Sequence, residues 1–189
     1  MRALLVAAAL AIAVAASAIV DAAQSSSGKE RRFFSARHGI GVEAPLGWTL
    51  SQHTGYPTVL VALVHPGGSR ISVAVDRTTV KDANALVEQN KPGLLAQGLT
   101  IERVGPGPHD GVQLDARAGR RGQALRQLYV VRKVEGGRDE RQAVVVTLAT
   151  PLADLAAASG PYEWVLAHLT FEAPLRPETK SDTKPDAGR

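Results

Sequence analysis

Two long strand-like runs in the second half of the chain set the strongest limit on its fold. Leu125 to Val134 and Gln142 to Ala149 are mostly apolar, and Glu135-Gly136-Gly137-Arg138 separates them. The Gly pair suits the positive φ angles of a tight hairpin turn, so the second run is expected to pair back on the first. Shorter runs precede them. Ile71, Val73 and Val75 alternate with Ser72, Ala74 and Asp76, and Val112, Leu114 and Ala116 alternate with Gln113, Asp115 and Arg117. That period of two is the mark of a half-buried strand. Thr58 to Val64 is nearly continuous in its apolar character, and His65-Pro66-Gly67-Gly68 turns it into the Arg70 to Arg77 strand. Thr100 to Val104 adds a further strand, followed by a rigid Gly105-Pro106-Gly107-Pro108 loop. Phe33 to Leu50 reads as two short strands about a turn. The fold class is therefore α+β, an antiparallel β-sheet with helices packed on it.

The helices are fewer. Asp82 is placed to cap one, with Leu86, Val87, Leu94 and Leu95 at helical spacing and Gly98 as its stop. Pro92 is expected to kink or interrupt it. Thr150-Pro151 reads as a cap followed by proline at the first helical position, opening a short helix. Gly160-Pro161 is expected to end that helix and start another, with Tyr162, Val165, Leu166 and Leu169 as its apolar stripe.

The first residues follow a different rule. Met1-Arg2 is a short positive start, and Ala3 to Val20 is an uncharged run rich in Ala, Leu and Val. Ala16-Ser17-Ala18 and Asp21-Ala22-Ala23 supply the small residues of an export signal, with cleavage expected near Ala18 or Ala23. The run is short for a membrane span and its alanines make it weakly apolar, so no stable span is expected after cleavage. The organisation expected is a signal peptide over 1–23, a flexible mature start over 24–32 and one α+β domain over 33–172. A disordered tail over 173–189 follows, since that stretch is rich in Pro, Lys, Asp and Thr without apolar periodicity. Removing the signal leaves roughly 165 residues, enough for one domain with a core of its own.

Composition then removes several chemistries. The chain has no cysteine, which excludes a disulfide framework, a thiolate metal site and a cysteine nucleophile. Its net charge is +4 and aromatics are 4% of residues, too small a bias to identify nucleic acid as a partner.

The order of these elements carries a resemblance. Gly41-Val42-Glu43-Ala44-Pro45-Leu46-Gly47-Trp48 is a G-V-x-x-P-x-G-W opening. A hairpin and a helix ending in Gly98 follow it. A loop into Gly111-Val112-Gln113-Leu114-Asp115 comes next, then two long strands and a helix running into Leu169-Thr170-Phe171. This resembles the PsbP-like α/β/α sandwich superfamily, which includes photosystem extrinsic proteins and DcrB-like bacterial envelope proteins. The resemblance covers about Phe33 to Phe171. It implies a fold and a tendency to act as a non-catalytic partner of larger assemblies. It implies no active site, so no residue role is carried over.

The candidate site residues are basic and aromatic. Arg117, Arg120, Arg121 and Arg126 gather about one hairpin tip, where guanidinium groups can meet phosphate or carboxylate. Tyr162 and Trp164 stand two apart on a helix and face different sides, which makes Trp164 a contact candidate. Trp48 reads as core. The five histidines, His38, His53, His65, His109 and His168, show no metal-binding spacing, and His109-Asp110 reads as a solvated loop. Ser69 lies in a hairpin turn rather than on a nucleophile elbow, and Asp139-Glu140 are solvated neighbours. No catalytic residue, metal or cofactor is assigned. The reading is an exported, non-enzymatic envelope protein binding another protein or an anionic envelope component. Two alternatives are a small-ligand carrier with a cavity between sheet and helices, and an exported hydrolase with dispersed His and Asp.

Overall fold

A computed structural model describes residues 31–52, 54–119, 122–134 and 141–172. The signal with Ala18 and Ala23, His53, Arg120, Arg121, the 135–140 turn with Asp139 and Glu140, and the tail from 173 lie outside the described residues.

Ten strands and two α-helices follow in order. They are β1 (Arg32–Ser35), β2 (Ile40–Glu43), β3 (Thr49–Ser51), β4 (Val59–Val64), β5 (Arg70–Thr78), α1 (Ala83–Ala96), β6 (Thr100–Pro106), β7 (Val112–Ala118), β8 (Gln123–Lys133), β9 (Arg141–Pro151), α2 (Leu155–Ala167) and β10 (Thr170–Phe171). Seven strands form the main sheet in the order β3-β4-β5-β9-β8-β7-β6, and β1-β2-β10 form a small second sheet. Every strand pairing is antiparallel. The Phe33 to Leu50 stretch holds three strands rather than two. Strand β6 also runs on through Pro106, two residues into the expected loop.

Alternation along the strands creates two cores. Ile71, Val73, Leu128, Val130, Val144, Val146 and Leu148 point to one face, where α2 and the small sheet cover them with Tyr162, Val165, Ile40 and Val42. Val112, Leu114, Ala116, Leu125, Tyr129 and Ala143 point to the other, under Leu86, Val87 and Leu94 of α1. Strands β8 and β9 sit centrally and are buried on both faces, which is why they read as nearly unbroken apolar runs. Strands β5 and β7 each face one core, so they alternate. Each buried Leu or Val contributes about 1.5–3 kcal/mol relative to exposure.

The cap of α1 forms as its sequence implies. The Asp82 carboxylate accepts the Ala85 N–H at 2.9 Å, and Gly98 ends the helix at φ +79°. Four local expectations are corrected. Helix α1 runs unbroken through Pro92, and Leu95 lies on its exposed side rather than in the apolar stripe. Pro92 faces solvent, where water can satisfy the Glu88 carbonyl that loses its helical partner, and burial of Leu86, Val87 and Leu94 outweighs the defect. Helix α2 is likewise one helix through Gly160 and Pro161, held by Ala158, Tyr162, Val165 and Leu166. Thr150 and Pro151 finish β9 and do not cap a helix. The Thr150 hydroxyl instead meets Ser69 Oγ at 2.8 Å, and a single 3-10 turn, Leu152–Asp154, leads into α2.

Candidate functional site

The described part of the basic hairpin lies where β7 and β8 join, at the sheet end that carries Gln123 and Pro151. Register puts Arg126 opposite Asp115 and Arg117 opposite Ala124, all on the α2 face. The face is polar here because α2 covers β8 and β9 and leaves β7 and β6 outside its cover. Each arginine has met a carboxylate. Arg117 Nε stands 2.9 Å from Glu102 Oε2 on β6. Arg126 Nε stands 3.3 Å from Asp115 Oδ1, close enough for an ion pair although not aligned for a hydrogen bond. Its Nη1 donates to Ser159 Oγ at 3.2 Å and lies 3.8 Å from Glu163 on α2. Beside these pairs is a shallow hollow of about 100 Å³, lined also by Ala124, Leu125 and Leu155. That volume suits a few waters or a small headgroup, not a drug-sized ligand.

The site is thus a mixed charged shelf rather than a bare cationic patch. Glu102, Asp115 and Glu163 are the residues that sequence reasoning missed. Each stands well apart along the chain from the arginine it pairs with, and only antiparallel register and helix packing bring them together. Below the shelf, burial foremost and the Asp115 carboxylate second push the Tyr162 phenol far above its ordinary range. Tyr162 therefore stays neutral and donates to the Val146 carbonyl at 3.2 Å. The main chain ties the hairpin tip to the start of the α2 segment, with Leu152 N–H donating to Gly122 O at 2.7 Å.

Trp164 lies away from this shelf. It is partly buried, with the His168 ring stacked on it at 3.8 Å and the Arg31 guanidinium 5.8 Å from its centroid. Arg31 in turn donates from Nε and Nη2 to Ala44 O, at 3.1 and 2.9 Å. Trp164 therefore joins α2 to the small sheet and does not share a surface with Arg117 and Arg126. Trp48 is buried, as expected of a core residue, and packs on His65 with ring centroids 5.4 Å apart.

The histidines do not converge. His38 and His109 lie at the end of the main sheet that carries Lys133 and Arg141, whereas His65 lies in the β4–β5 turn at the opposite end. Among the described residues no three His, Asp or Glu side chains gather as a metal ion would require. The His109-Asp110 loop is exposed, as expected, and it is also anchored: His109 Nε2 lies 2.8 Å from Leu166 O and the ring stands roughly perpendicular to Phe171, centroids 5.2 Å apart. No described helix is long and apolar enough to cross a membrane.

No protein-family model and no curated protein sequence matches the chain. Solved structures do. The solution structure of cyanobacterial PsbP (CyanoP) from Synechocystis sp. PCC 6803 matches with a TM-score of 0.52 at 14% identity, over 78% of this chain and 98% of that one. The crystal structure of LpqN, described as involved in cell envelope biogenesis of Mycobacterium tuberculosis, matches with a TM-score of 0.55 at 15% identity, over 75% of this chain and 90% of that one. Identity this low speaks for architecture alone, and on that ground the chain adopts the PsbP-like fold.

Proposed function

We propose that the chain is an exported, non-enzymatic envelope protein that works by binding another protein through the shelf around Arg117 and Arg126. The observation that carries this reading is charge balance. Arg117 and Arg126 are each matched by a carboxylate of the same domain. A surface of alternating sign favours a partner that offers both signs, as a protein does, over a purely anionic polymer. Envelope association rests on the export signal expected from the sequence and on the likeness to LpqN, described as involved in cell envelope biogenesis. A non-catalytic role rests on a site whose arginines are each paired with carboxylates around a hollow too small for most substrates.

Co-purification after crosslinking in the native envelope fraction tests the reading. The expected result is one protein recovered in near-stoichiometric yield with the tagged chain and lost on Arg117→Glu with Arg126→Glu. Recovery unchanged by that double variant would move the partner elsewhere on the domain. Absence of any enriched protein would contradict the reading and favour a small-ligand carrier.

A further inference from the structure

We propose that the β6–β7 turn is a strained latch, so that the last turn of α2 and β10 open together ahead of the strands of the main sheet. The turn is Pro108-His109-Asp110-Gly111, closed by Gly111 N–H donating to Pro108 O at 3.0 Å. His109 has φ +57° and Asp110 φ +54°. Two successive left-handed residues make a type I′ turn, whose usual occupants are Asn-Gly because a Cβ is disfavoured there. His-Asp is a strained choice, and strain of this kind persists only where surrounding contacts hold it.

Those contacts are visible. At the base of the loop, a Cβ on Gly111 would come within 2.7 Å of Tyr129 O and 2.9 Å of Leu128 Cδ1, so the backbone there lies directly on β8. At the tip, the His109 ring reaches the end of α2. A carbonyl can only accept, so Nε2 carries the hydrogen and donates to Leu166 O at 2.8 Å. Leu166 O belongs to the last turn of α2, whose carbonyls have no partner within the helix. His168 caps Trp164 O and Val165 O from within the α2 segment, and the distant hairpin adds a partner for Leu166 O. The same ring stands roughly perpendicular to Phe171, while the Arg132 guanidinium lies 4.6 Å from the centroid of that phenyl ring and donates from Nη2 to Glu172 O at 3.0 Å. Phe171 is held by both side chains, and β10 is only two residues long.

Loss of the His109 contact therefore leaves Leu166 O without its side-chain partner and removes one ring contact of Phe171 together, leaving the His168 cap and the short β10–β2 pairing. The turn gains by relaxing, and the main sheet gives up none of its own hydrogen bonds. Opening would uncover Leu166, Leu169 and Phe171 and give a route to the α2-side core without dissolving β5, β9 and β8.

Amide hydrogen exchange on the full chain tests this with two variants. His109→Asn removes the reach to Leu166 while remaining tolerant of the left-handed conformation, so it is not confounded by added strain. Asp110→Gly relieves strain and leaves the imidazole in place. His109→Asn is expected to speed exchange at residues 166–172 tenfold or more, with amides of 144–148 changed at most twofold. Asp110→Gly is expected to slow exchange at 166–172. Equal acceleration in both segments under His109→Asn would overturn the latch, as would no acceleration at 166–172, or faster exchange there under Asp110→Gly.

Discussion

Gly41 shows how one position can be settled by a neighbour far along the chain. A Cβ there would fall on Thr170 Oγ1, well inside van der Waals contact, and would touch Phe34 at 3.5 Å. The glycine lets β10 lie close against β2, where Thr170 pairs with Gly41. Gly41→Ala should destabilise the domain by about 1–3 kcal/mol in a denaturant titration, the usual range for overpacking. Thr170→Ala removes the clashing oxygen, so the double variant should recover most of the loss. Strict additivity of the two substitutions would refute the close approach. A second residue-scale feature is a buried polar chain on the α1 face. Tyr129 Oη donates to Gln127 Oε1 at 2.6 Å, and Gln127 Nε2 donates to Thr147 Oγ1 at 3.1 Å. Thr147→Val keeps the shape but strands the Gln127 donor. It should lower stability by about 1–3 kcal/mol, and an unchanged midpoint would show that the donor finds another partner. The opening glycines and Trp48 were legible as a motif. The reason for Gly41 was not, because Thr170 enters only through tertiary pairing.

Elements were read best where burial alone decides them. Strands β5, β7, β8 and β9 were plain in the sequence, since their alternation or unbroken apolar character follows from how many faces they bury. The cap at Asp82 and the stop at Gly98 were legible too, because both act through local backbone geometry. The proline positions were misread because propensity is local and packing is not. Pro92 and Pro161 both lie inside helices whose buried stripes continue past them. Pro92→Ala restores a backbone donor on the exposed side of α1. It should raise the denaturation midpoint, with a gain of about 1–3 kcal/mol. A loss of stability would mean that the ring makes a packing contact worth more than the missing hydrogen bond. The shelf was half legible. Arg117 and Arg126 stand out as cations, but their partners sit on β6, β7 and α2, and neither spacing nor composition joins them.

At the scale of the molecule, the cover over one face of the main sheet is shared between α2 and the small sheet, and side chains from the main sheet and the β6–β7 turn bridge the seam beneath them. Gln142 donates to His38 O, Arg132 to Gly39 O, and His109 to Leu166 O. His38 brings pH into this seam. Burial foremost, then the Arg37 and Arg77 charges, holds its imidazole below the ordinary value of 6.5. The unfolded chain therefore takes up a proton more readily than the folded one. Stability is fully present above 6.5 and falls as pH drops from there toward the lowered folded value. Denaturation midpoints should be lower at about pH 5 than at about pH 8, and His38→Gln should shrink that difference. An equal difference in the variant would place the dependence on other groups.

The proposed role depends on export, so the mass and location of the native chain test it most directly. The tagged protein would be fractionated from its own cells and weighed intact. The account predicts a shortened chain, beginning just after Ala18 or Ala23, outside the cytoplasm. A full-length chain starting at Met1 and confined to the cytoplasm would contradict it.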